Sequence, residues 1–340
     1  MTAARLRAIT SCYSSLRLGV VGDFCLDRYL EIDPAKEEIS IETGLPVHNV
    51  TNVRAQPGAA GTILNNLAAL GVGTIYPIGF AGHDGEGFEL MQALERRPGV
   101  HLSHFVHTAE RRTFTYCKPL VLAPNRPPVE LNRFDLKNWT PTPALLQELL
   151  ISQLLSAAKL VQAIVVLDQV EVPETGVVTS KILEAINGLT KTNPELLVLA
   201  DSRRKLQSFP LVNLKMNVAE LSALLKAKAD LSLGEIKEAA AALAKENRRS
   251  VFVTLAERGI VGAMPDGQVE HMPALPVRGE IDIVGAGDAV TANLAAAAAA
   301  GASLRESLEI ANAAASVVIH KLGTTGTANL EEIGQRLQGE

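Results

Sequence analysis

The sequence predicts an α/β fold in which a doubly wound, mostly parallel sheet carries helices on both faces. Short aliphatic and β-branched runs alternate with longer segments whose apolar residues recur at a spacing of three and four. Because the short runs are apolar on both faces, they are typical of strands in a parallel sheet covered by helices. Regular alternation of such strands with helices favours the doubly wound arrangement.

Four segments are predicted strands and four are predicted helices. The strands are 16 to 23, 163 to 168, 196 to 201 and 251 to 255, and the helices are 62 to 71, 144 to 160, 218 to 229 and 233 to 246. Asp23, Asp168 and Asp201 each end a strand, at the edge where open α/β sheets bind ligands. The alternative is that each aspartate only caps the following turn or helix.

Two segments depart from this alternation, 37 to 55 and 112 to 136, where β-branched and polar residues interchange as in half-exposed strands. We interpret them as a small antiparallel β flap, at about 31 to 56 and 112 to 136, attached to the main sheet. No linker rich in Pro, Gly or Ser divides the chain, which predicts a single domain over residues 1 to 340. Exposed strand edges usually need covering, so we expect a homodimer that forms through the flap.

The composition excludes several classes of partner. The 340 residues include 32 Lys+Arg and 37 Asp+Glu, a formal net charge of -5 without blocks of like charge, so we expect no nucleic acid partner. Cys12, Cys25 and Cys117 are widely spaced and form no C-x-x-C pair, which favours a cytoplasmic location. The first residues lack a signal-peptide pattern and no window reaches 18 unbroken apolar residues, so we expect no membrane association.

Residues 281 to 294, IDIVGAGDAVTANL, place small residues before an aspartate at the predicted start of a helix. If Gly285, Ala286 and Gly287 form the turn into this helix, the backbone can approach a ligand and the unpaired N–H groups point outward. Such a helix start suits phosphate oxygens and the charge that grows during phosphoryl transfer. Asp288 would then be the base for an attacking hydroxyl. The alternative is a glycine-rich connection that Asp288 only caps.

Five motifs resemble, in order and over nearly the whole chain, those of the PfkB (ribokinase-like) carbohydrate kinases. They are PGAAGTILNNLAALG at 57 to 71, GFAGHDGEG at 79 to 87, NVAE at 217 to 220, TLAERG at 254 to 259 and DIVGAGD at 282 to 288. The resemblance implies a ribokinase-like fold with the flap as a lid, and ATP- and Mg²⁺-dependent phosphorylation of a sugar or sugar phosphate. Within the family, segments such as ISIETGLPV most resemble the kinase domain of the bacterial D-glycero-β-D-manno-heptose 7-phosphate kinases.

The resemblance assigns the centre of the reaction to the last motif. Asp288 matches the family's catalytic base, and the N–H groups of Gly285, Ala286 and Gly287 match its anion hole. Asp282 resembles the residue associated with a monovalent-cation site, which implies potassium. Ile283 stands where the family usually has threonine, and this departure leaves potassium dependence open.

The nucleotide side follows from two other motifs. Asn217 and Glu220 match the pair that organises the Mg²⁺ water shell and the ATP phosphates, and one helical turn apart they would share a helix face. For an isolated N-x-x-E, a solvated helix face is the alternative. The resemblance also assigns nucleotide contacts to Thr254, Glu257, Gly259 and Asn312.

On the substrate side, Asp27 matches the aspartate that holds sugar hydroxyls at the end of the first strand. Gly58 and Thr62 fall in the sugar-contacting loop, and Glu171 in QVEVP matches a sugar-binding glutamate of ribokinase. Carboxylates suit this task because each accepts two or more hydrogen bonds from vicinal hydroxyls. Ala59 stands where the family commonly has a second Gly, and Thr62 where it has Asn, so the identity of the sugar stays open.

A phosphorylated acceptor would require a cation near the sugar site. Arg112 and Lys118 lie on the predicted flap, where alternate residues face one side. The basic turn 201 to 206 follows a strand end and could also face the site; a solvated turn is the alternative. The clustered cations are Arg111, Arg112, Lys118, Arg203, Arg204 and Lys205.

Two other functions fit the same fold. One is a kinase-fold binding or regulatory protein whose catalysis is lost or weak, although the intact Asp288, Asn217 and Glu220 count against it. The other is a kinase of the same family that acts on nucleosides or other small alcohols. Fold-level analogy cannot rank the acceptors, so the sequence leaves this choice open.

Overall fold

The computed structural model of the chain describes residues 1–124, 126–203, 206–228, 230–323 and 325–339. Their strands, in chain order, are β1 (Arg17–Gly22), β2 (Phe24–Ile32), β3 (Glu38–Ile39), β4 (Pro46–Val47), β5 (Val50–Ala59), β6 (Thr74–Ile78), β7 (Phe80–Gly82), β8 (Val106–Thr108), β9 (Phe114–Val121), β10 (Val129–Glu130), β11 (Phe134–Leu136), β12 (Ala163–Asp168), β13 (Leu197–Ser202), β14 (Asn213–Asn217), β15 (Val251–Thr254), β16 (Ile260–Ala263) and β17 (Val269–Met272). Their α-helices are α1 (Ala3–Thr10), α2 (Ala60–Ala69), α3 (Gly85–Glu95), α4 (Ala144–Ala157), α5 (Ser180–Thr192), α6 (Val218–Leu225), α7 (Leu233–Asn247), α8 (Ala286–Ala299), α9 (Leu304–Val318) and α10 (Leu330–Gln338).

The main sheet has eight strands in the order β17-β16-β15-β14-β13-β12-β1-β6. The strands from β15 to β6 pair in parallel, and β16 and β17 form an antiparallel edge. Successive side chains of a strand point to opposite faces, so Val20 and Val21 of β1 enter different cores. Helices α2, α8 and α9 pack on the face of Val20, and α4, α5 and α7 pack on the face of Val21. The predicted doubly wound arrangement is therefore confirmed.

A second sheet, which we call the lid, contains β2, β5, β9, β10 and β11. Strand β2 pairs antiparallel with β5 and parallel with β9, so the predicted flap is present but its strands are not all antiparallel. The lid also begins at Phe24, earlier than the predicted limit at residue 31. The reason is that β2 is buried along most of its length, so its sequence lacks the interchange of apolar and polar residues by which the flap was predicted.

Asp23 is the junction at which the chain leaves the main sheet and enters the lid. Its carboxylate accepts backbone hydrogen bonds from Gln169 at 2.9 Å, Val170 at 3.2 Å and Val177 at 2.7 Å. These bonds hold the loop that follows β12 against the junction. Of the two interpretations of this strand-end aspartate, the structure supports the one in which it stabilises a turn.

Among the described residues, no helix is both long enough and apolar enough to cross a membrane. The helix that follows the glycine-rich motif, α8, is alanine-rich and buried, and it begins at Ala286.

The start of α2 has an unusual backbone conformation. Ala59, which joins β5 to α2, has φ 53° and ψ -118°. A positive φ of this size crowds the Cβ of an L residue and costs about 1–3 kcal/mol. The sequence departure from glycine at this position therefore has a structural consequence, which is local strain beside the predicted sugar loop.

We predict that Ala59→Gly stabilises the protein by about 1 kcal/mol, because the relief of strain exceeds the entropy that glycine adds to the unfolded chain. Urea unfolding followed by circular dichroism measures the difference. The control is Ala60→Gly at the next position, which is helical and buried; it should destabilise by about 1 kcal/mol. Equal destabilisation by both substitutions would contradict the strain at Ala59.

Candidate active site

A cavity of about 580 Å³ opens beside the first turn of α8. Its wall contains residues from β15, the starts of α6 and α8, and the middle of α9. It brings together seven of the predicted catalytic and nucleotide-binding residues, which are Asn217, Thr254, Glu257, Gly259, Ala286, Gly287 and Asn312. These positions are far apart in sequence, so their convergence is a property of the fold.

The remainder of the cavity wall is mainly apolar. It includes Leu255, Leu275, Val277, Ile281 and Ile319. A volume of several hundred Å³, with an apolar wall and a few polar groups, is typical of sites for small organic ligands. Within the wall, the Asn312 side chain donates to the Pro273 carbonyl at 2.8 Å, which fixes the orientation of its amide.

The first turn of α8 presents backbone amides with no partner. No side chain caps this helix. The Ala286 N–H donates to the Ile283 carbonyl at 3.2 Å, so it is not available, in contrast to the prediction. Among the described residues, no acceptor reaches the N–H groups of Gly287 and Asp288. Of the predicted set, Ala286 is therefore excluded, Gly285 and Gly287 keep N–H groups without an acceptor among the described residues, and Asp288 adds a further one.

Gly285 is required at the entry to this turn. Its φ of 83° lies in the left-handed region that favours glycine. A Cβ built on Gly285 would lie 2.7 Å from Cγ2 of Thr325 and 3.8 Å from Cγ2 of Thr62. The second distance shows that Thr62, at the start of α2, lies next to the start of α8.

Asp288 lies in the first turn of α8, beside the free amides. Burial and the charge of Asp201 raise the pKa of the Asp288 carboxyl to about 7. Lys215 and Arg203 act in the opposite direction, and Asp27 of the lid adds to the increase. The charges that act on this carboxyl therefore come from both the lid and the main sheet.

Asp27 and Lys118 of the lid form a second polar centre. The Lys118 ammonium lies 3.5 Å from Oδ1 of Asp27 and 3.4 Å from the Tyr29 hydroxyl. Asp27 lies in the middle of β2, not at the end of the first predicted strand. A Cβ on Gly58 would lie 2.7 Å from Oδ2 of Asp27, so glycine leaves space for this carboxylate. The structure therefore brings Asp27, Gly58 and Lys118 together.

Comparison with known proteins identifies the family. The sequence model of the family described as pfkB family carbohydrate kinase matches residues 20–331. The chain belongs to the pfkB family of carbohydrate kinases. This membership confirms the resemblance of the five motifs and shows that the protein is an enzyme of this class.

Curated relatives of the kinase carry the name bifunctional protein HldE. The one from Granulibacter bethesdensis is 31% identical over 332 residues, which cover 96% of this chain and 65% of the relative. The one from Hyphomonas neptunium is also 31% identical, and the match covers 97% of this chain and 65% of the relative. The chain thus spans about two thirds of the length of these relatives.

Solved structures of sugar kinases share the fold. Ribokinase from Arabidopsis thaliana, solved with ribose and ATP, superposes with a TM-score of 0.68 at 21% sequence identity. The superposition covers 95% of this chain and 99% of the ribokinase chain. Phosphofructokinase-2 from Escherichia coli, solved with potassium, gives a TM-score of 0.73 at 19% identity with the same coverage. These similarities confirm the ribokinase-like fold.

Asn217 and Glu220 of the kinase form a capping box at the start of α6. The Glu220 N–H donates to Oδ1 of Asn217 at 2.9 Å, and the Asn217 N–H donates to Oε2 of Glu220 at 2.7 Å. Their spacing therefore has a structural role besides the predicted one. Burial and the charge of Asp201 raise the pKa of Glu220.

Two predicted substrate residues, Arg112 and Glu171, and a further candidate cation, Arg111, have contacts other than with the Asp27–Lys118 pair. Arg112 precedes β9, so the expected alternation does not include it, and its charge acts on Asp84 at the start of α3. The Glu171 side chain is 80% exposed and pairs with Lys137 at 3.4 Å. Arg111 is buried and donates to Thr140, so its role is structural.

The basic turn after β13 divides into two parts. The positive charge of Arg203 acts to lower the pKa of both Asp27 and Asp288, so it interacts with carboxyls of the lid and of α8. Arg204 and Lys205 lie outside the described residues. Arg203 is exposed, so both interpretations of this turn stay open and a contact with the substrate stays a prediction.

Asp282 lies in the loop before α8. Its Oδ1 accepts the Val284 N–H at 3.0 Å, and its own N–H donates to the Ile319 carbonyl at 2.8 Å. These bonds fix the loop next to the cavity. The monovalent-cation site at Asp282 stays a prediction.

Lys215 is the main residue that the sequence analysis missed. It is buried on β14, and its ammonium lies 2.9 Å from Oδ2 of Asp201. A single lysine inside a short strand belongs to no motif considered above. The one available signal was that it lies two residues before Asn217.

Proposed function

We propose that this kinase transfers the γ-phosphoryl group of Mg²⁺-bound ATP to a hydroxyl of a sugar or sugar phosphate, with heptose 7-phosphate as the first candidate. One observation carries the proposal: the start of α8 lines the apolar cavity on one side, lies next to Thr62 of α2, and interacts through Asp288 with Asp27 of the lid. A nucleotide and a sugar can therefore approach the same carboxylate from two sides. The similarity to proteins named HldE supports the heptose candidate.

The donor nucleotide occupies the cavity. A purine base suits the apolar wall around Leu275 and Ile319, and its triphosphate would extend past Thr254 to the amides of Gly287 and Asp288. Gly259 permits the turn beside this path, because its φ is 93° and a Cβ would overlap the Met272 carbonyl oxygen. Ribokinase from Arabidopsis thaliana, which shares the fold, was solved with ATP, and this supports the choice of donor.

The acceptor lies under the lid. The Asp27 carboxylate accepts hydrogen bonds from two neighbouring sugar hydroxyls. Lys118 and Arg203 carry positive charge near Asp27, which suits an acceptor that already holds a phosphate group. The structure of phosphofructokinase-2 with fructose-6-phosphate is a precedent for a phosphorylated ligand on this fold.

The chemistry requires one proton transfer and one displacement. The sugar hydroxyl oxygen attacks the γ-phosphorus while Asp288 accepts its proton, and the bond between the γ-phosphorus and the bridging oxygen breaks to release ADP. The N–H groups of Gly287 and Asp288 stabilise the charge on the transferring group. Closure of the lid excludes water, which would otherwise be a competing acceptor.

The residues present fit a magnesium ion that is held mainly by water and phosphate. Among the described residues, no three His, Cys, Asp or Glu side chains gather as a metal cage. This arrangement suits Mg²⁺, which usually keeps several waters and uses one or two carboxylates. Glu220 and Asn217 would hold those waters through oxygen atoms. When bound, the ion neutralises charge on the phosphates.

We predict that Asp288→Asn lowers kcat by about 10²–10⁴-fold, because the amide cannot accept the proton of the attacking hydroxyl. ATP binding, measured by calorimetry, should change little because the amides and the cavity wall remain. The control is Asp266→Asn, which removes the same charge from the exposed turn between β16 and β17.

Turnover is measured with a panel of acceptors that includes heptose 7-phosphate, fructose 6-phosphate, unphosphorylated sugars and nucleosides. Full activity of Asp288→Asn would refute the assigned base. Preference for a nucleoside would favour the alternative function, a kinase of the same family that acts on nucleosides or other small alcohols. Absence of ATP consumption by the wild-type protein with every acceptor would favour a binding or regulatory protein.

We predict that kcat/KM falls as the pH decreases through about 7, with a slope of one. The pKa of Asp288 is raised to about 7, so the carboxylate base dominates above this pH and its inactive protonated form dominates below it. Steady-state rates between pH 5.5 and 9 measure the profile. The phosphate of a sugar phosphate itself titrates near pH 6. Binding of the sugar phosphate to Asp288→Asn, measured over the same pH range, reports this ionisation alone and so distinguishes it from the ionisation of Asp288.

We also propose that the lid mediates a homodimer. Its strands and the β3–β4 hairpin expose large apolar side chains, which are Ile39, Ile41, Leu45, Val53, Val129 and Phe134. Exposed apolar groups on a sheet with open edges favour pairing with a second copy.

Sedimentation velocity should give twice the chain mass of 36.1 kDa for the wild-type protein. The double variant Ile41→Asp/Val53→Asp should shift the protein to the monomer, because both side chains would place charge in the interface. Leu145→Asp is the matched control, since Leu145 is 80% exposed on α4, outside the lid. A wild-type monomer at micromolar concentration would contradict the dimer.

A further inference from the structure

Lys215 is a buried cation to which the proposed phosphoryl transfer assigns no role. Its side chain is 7% exposed, and its ammonium contacts Asp201 at 2.9 Å. Burial alone would lower the pKa of Lys215, but the charges of Asp201, Asp288 and Glu220 outweigh burial and raise it. The ammonium is therefore charged under the conditions at which the enzyme works.

A hydrogen-bond network fixes this ammonium against the start of α8. Oδ2 of Asp201, which contacts Lys215, also accepts from the Thr291 hydroxyl at 2.9 Å. The same hydroxyl lies 3.0 Å from the Gly287 carbonyl oxygen. A Cβ built on Gly287 would lie 3.1 Å from Nζ of Lys215, so the ammonium lies directly beside the turn that carries the free amides.

The charges around Asp288 come from several elements. Asp201 on β13 and Asp27 on the lid strand β2 are anions that disfavour its carboxylate form. Lys215 on β14 and Arg203 after β13 are cations that favour it. A further anion, Glu220 on α6, acts on Lys215. Without Lys215, Arg203 would be the single cation of this group, and it is exposed.

We propose that Lys215 is a positioning residue that keeps Asp288 in its carboxylate form, and that Asp201 and Thr291 hold its ammonium in place. The inference rests on the proposed role of Asp288 as the base. A buried cation beside the base offsets the repulsion from neighbouring carboxylates, and it does so without occupying the space of the substrate. Asp201 has two effects, because it anchors Lys215 but also adds a negative charge.

This proposal differs in its consequences from a purely structural ion pair. If the Lys215–Asp201 contact served stability alone, loss of either partner would leave a buried charge and reduce stability and activity alike at every pH. If Lys215 sets the charge of Asp288, removal of the cation and removal of the anion should shift the titration of Asp288 in opposite directions.

The test compares Lys215→Met, Lys215→Arg and Asp201→Asn in the unliganded full-length protein. Carbon-13 labelling of aspartate reports each carboxyl by NMR, and the Asp288 resonance is identified by its loss in Asp288→Asn. We expect the titration midpoint to rise by about 1–3 pH units in Lys215→Met, because an opposite charge nearby lowers a carboxyl pKa by that amount. It should fall in Asp201→Asn and stay near the wild-type value in Lys215→Arg.

Activity provides an independent readout. The acid limb of the kcat profile should move to higher pH in Lys215→Met, so that the deficit relative to wild type is large at pH 6.5 and small at pH 9. An equal loss at every pH, or an unchanged Asp288 midpoint, would overturn the proposal. If Lys215→Met does not fold, as judged by circular dichroism, the downward shift in Asp201→Asn and the retention in Lys215→Arg decide the question.

Failure of this inference can be distinguished from failure of the proposed function. The carboxyl titration requires no substrate and no turnover. A wild-type protein that consumes no ATP with any acceptor would refute the kinase reaction while the titration still tested the Lys215–Asp288 coupling. Conversely, an active enzyme with an unchanged midpoint in Lys215→Met would refute the coupling alone.

Discussion

The start of α8 must leave backbone amides without partners next to a carboxylate, and the surrounding structure meets this requirement. Gly285 enters the helix with a positive φ close to the Thr325 side chain, and no side chain caps the helix. The N–H groups of Gly287 and Asp288 have no acceptor among the described residues. Unpaired polar groups are costly when they are buried, and a bound ligand or water would complete these hydrogen bonds. The same exposure makes the turn an anion site.

The path of the chain explains how the lid and the base meet. Strand β1 continues through Asp23 directly into β2, so the lid begins at the same edge of the main sheet at which α8 begins. Asp27 is therefore four residues from the main sheet, and Gly58 on the neighbouring strand gives its carboxylate room. A lid that is continuous with β1, the strand next to the edge strand β6, can close over the acceptor without losing the register of its own strands.

Much of the fold follows from local patterns in the sequence. The predicted strands 163 to 168 and 196 to 201 agree with the structure to within one residue, because continuous aliphatic runs leave little choice of conformation. The predicted helix 218 to 229 ends at Leu225, because Lys226 adopts a left-handed conformation that a periodic pattern does not reveal. Strand β14 was missed because Asn and Lys interrupt its apolar character.

Site residues were predictable where the family resemblance assigned them. They were not predictable where their position depends on the register of neighbouring strands. Asn312 and Thr254 line one cavity as expected, because the family resemblance assigns both to the nucleotide side. Arg112 was expected to alternate with Lys118, but β9 begins at Phe114, and strand register starts only there. The Lys215–Asp201 contact depends on the parallel register of β13 and β14, which no short segment encodes.

The electrostatics of the cleft pose a problem that any phosphoryl-transfer enzyme of this shape must resolve. Asp201, Asp288 and Glu220 place negative charge where an anionic triphosphate has to bind. In a partly buried site this repulsion is screened weakly. The helix start supplies only about half a unit of positive charge, which does not balance three carboxylates. In the proposed reaction, Mg²⁺ and fixed cations must therefore supply the remainder, and Lys215, whose ammonium lies beside the turn, is one of these cations.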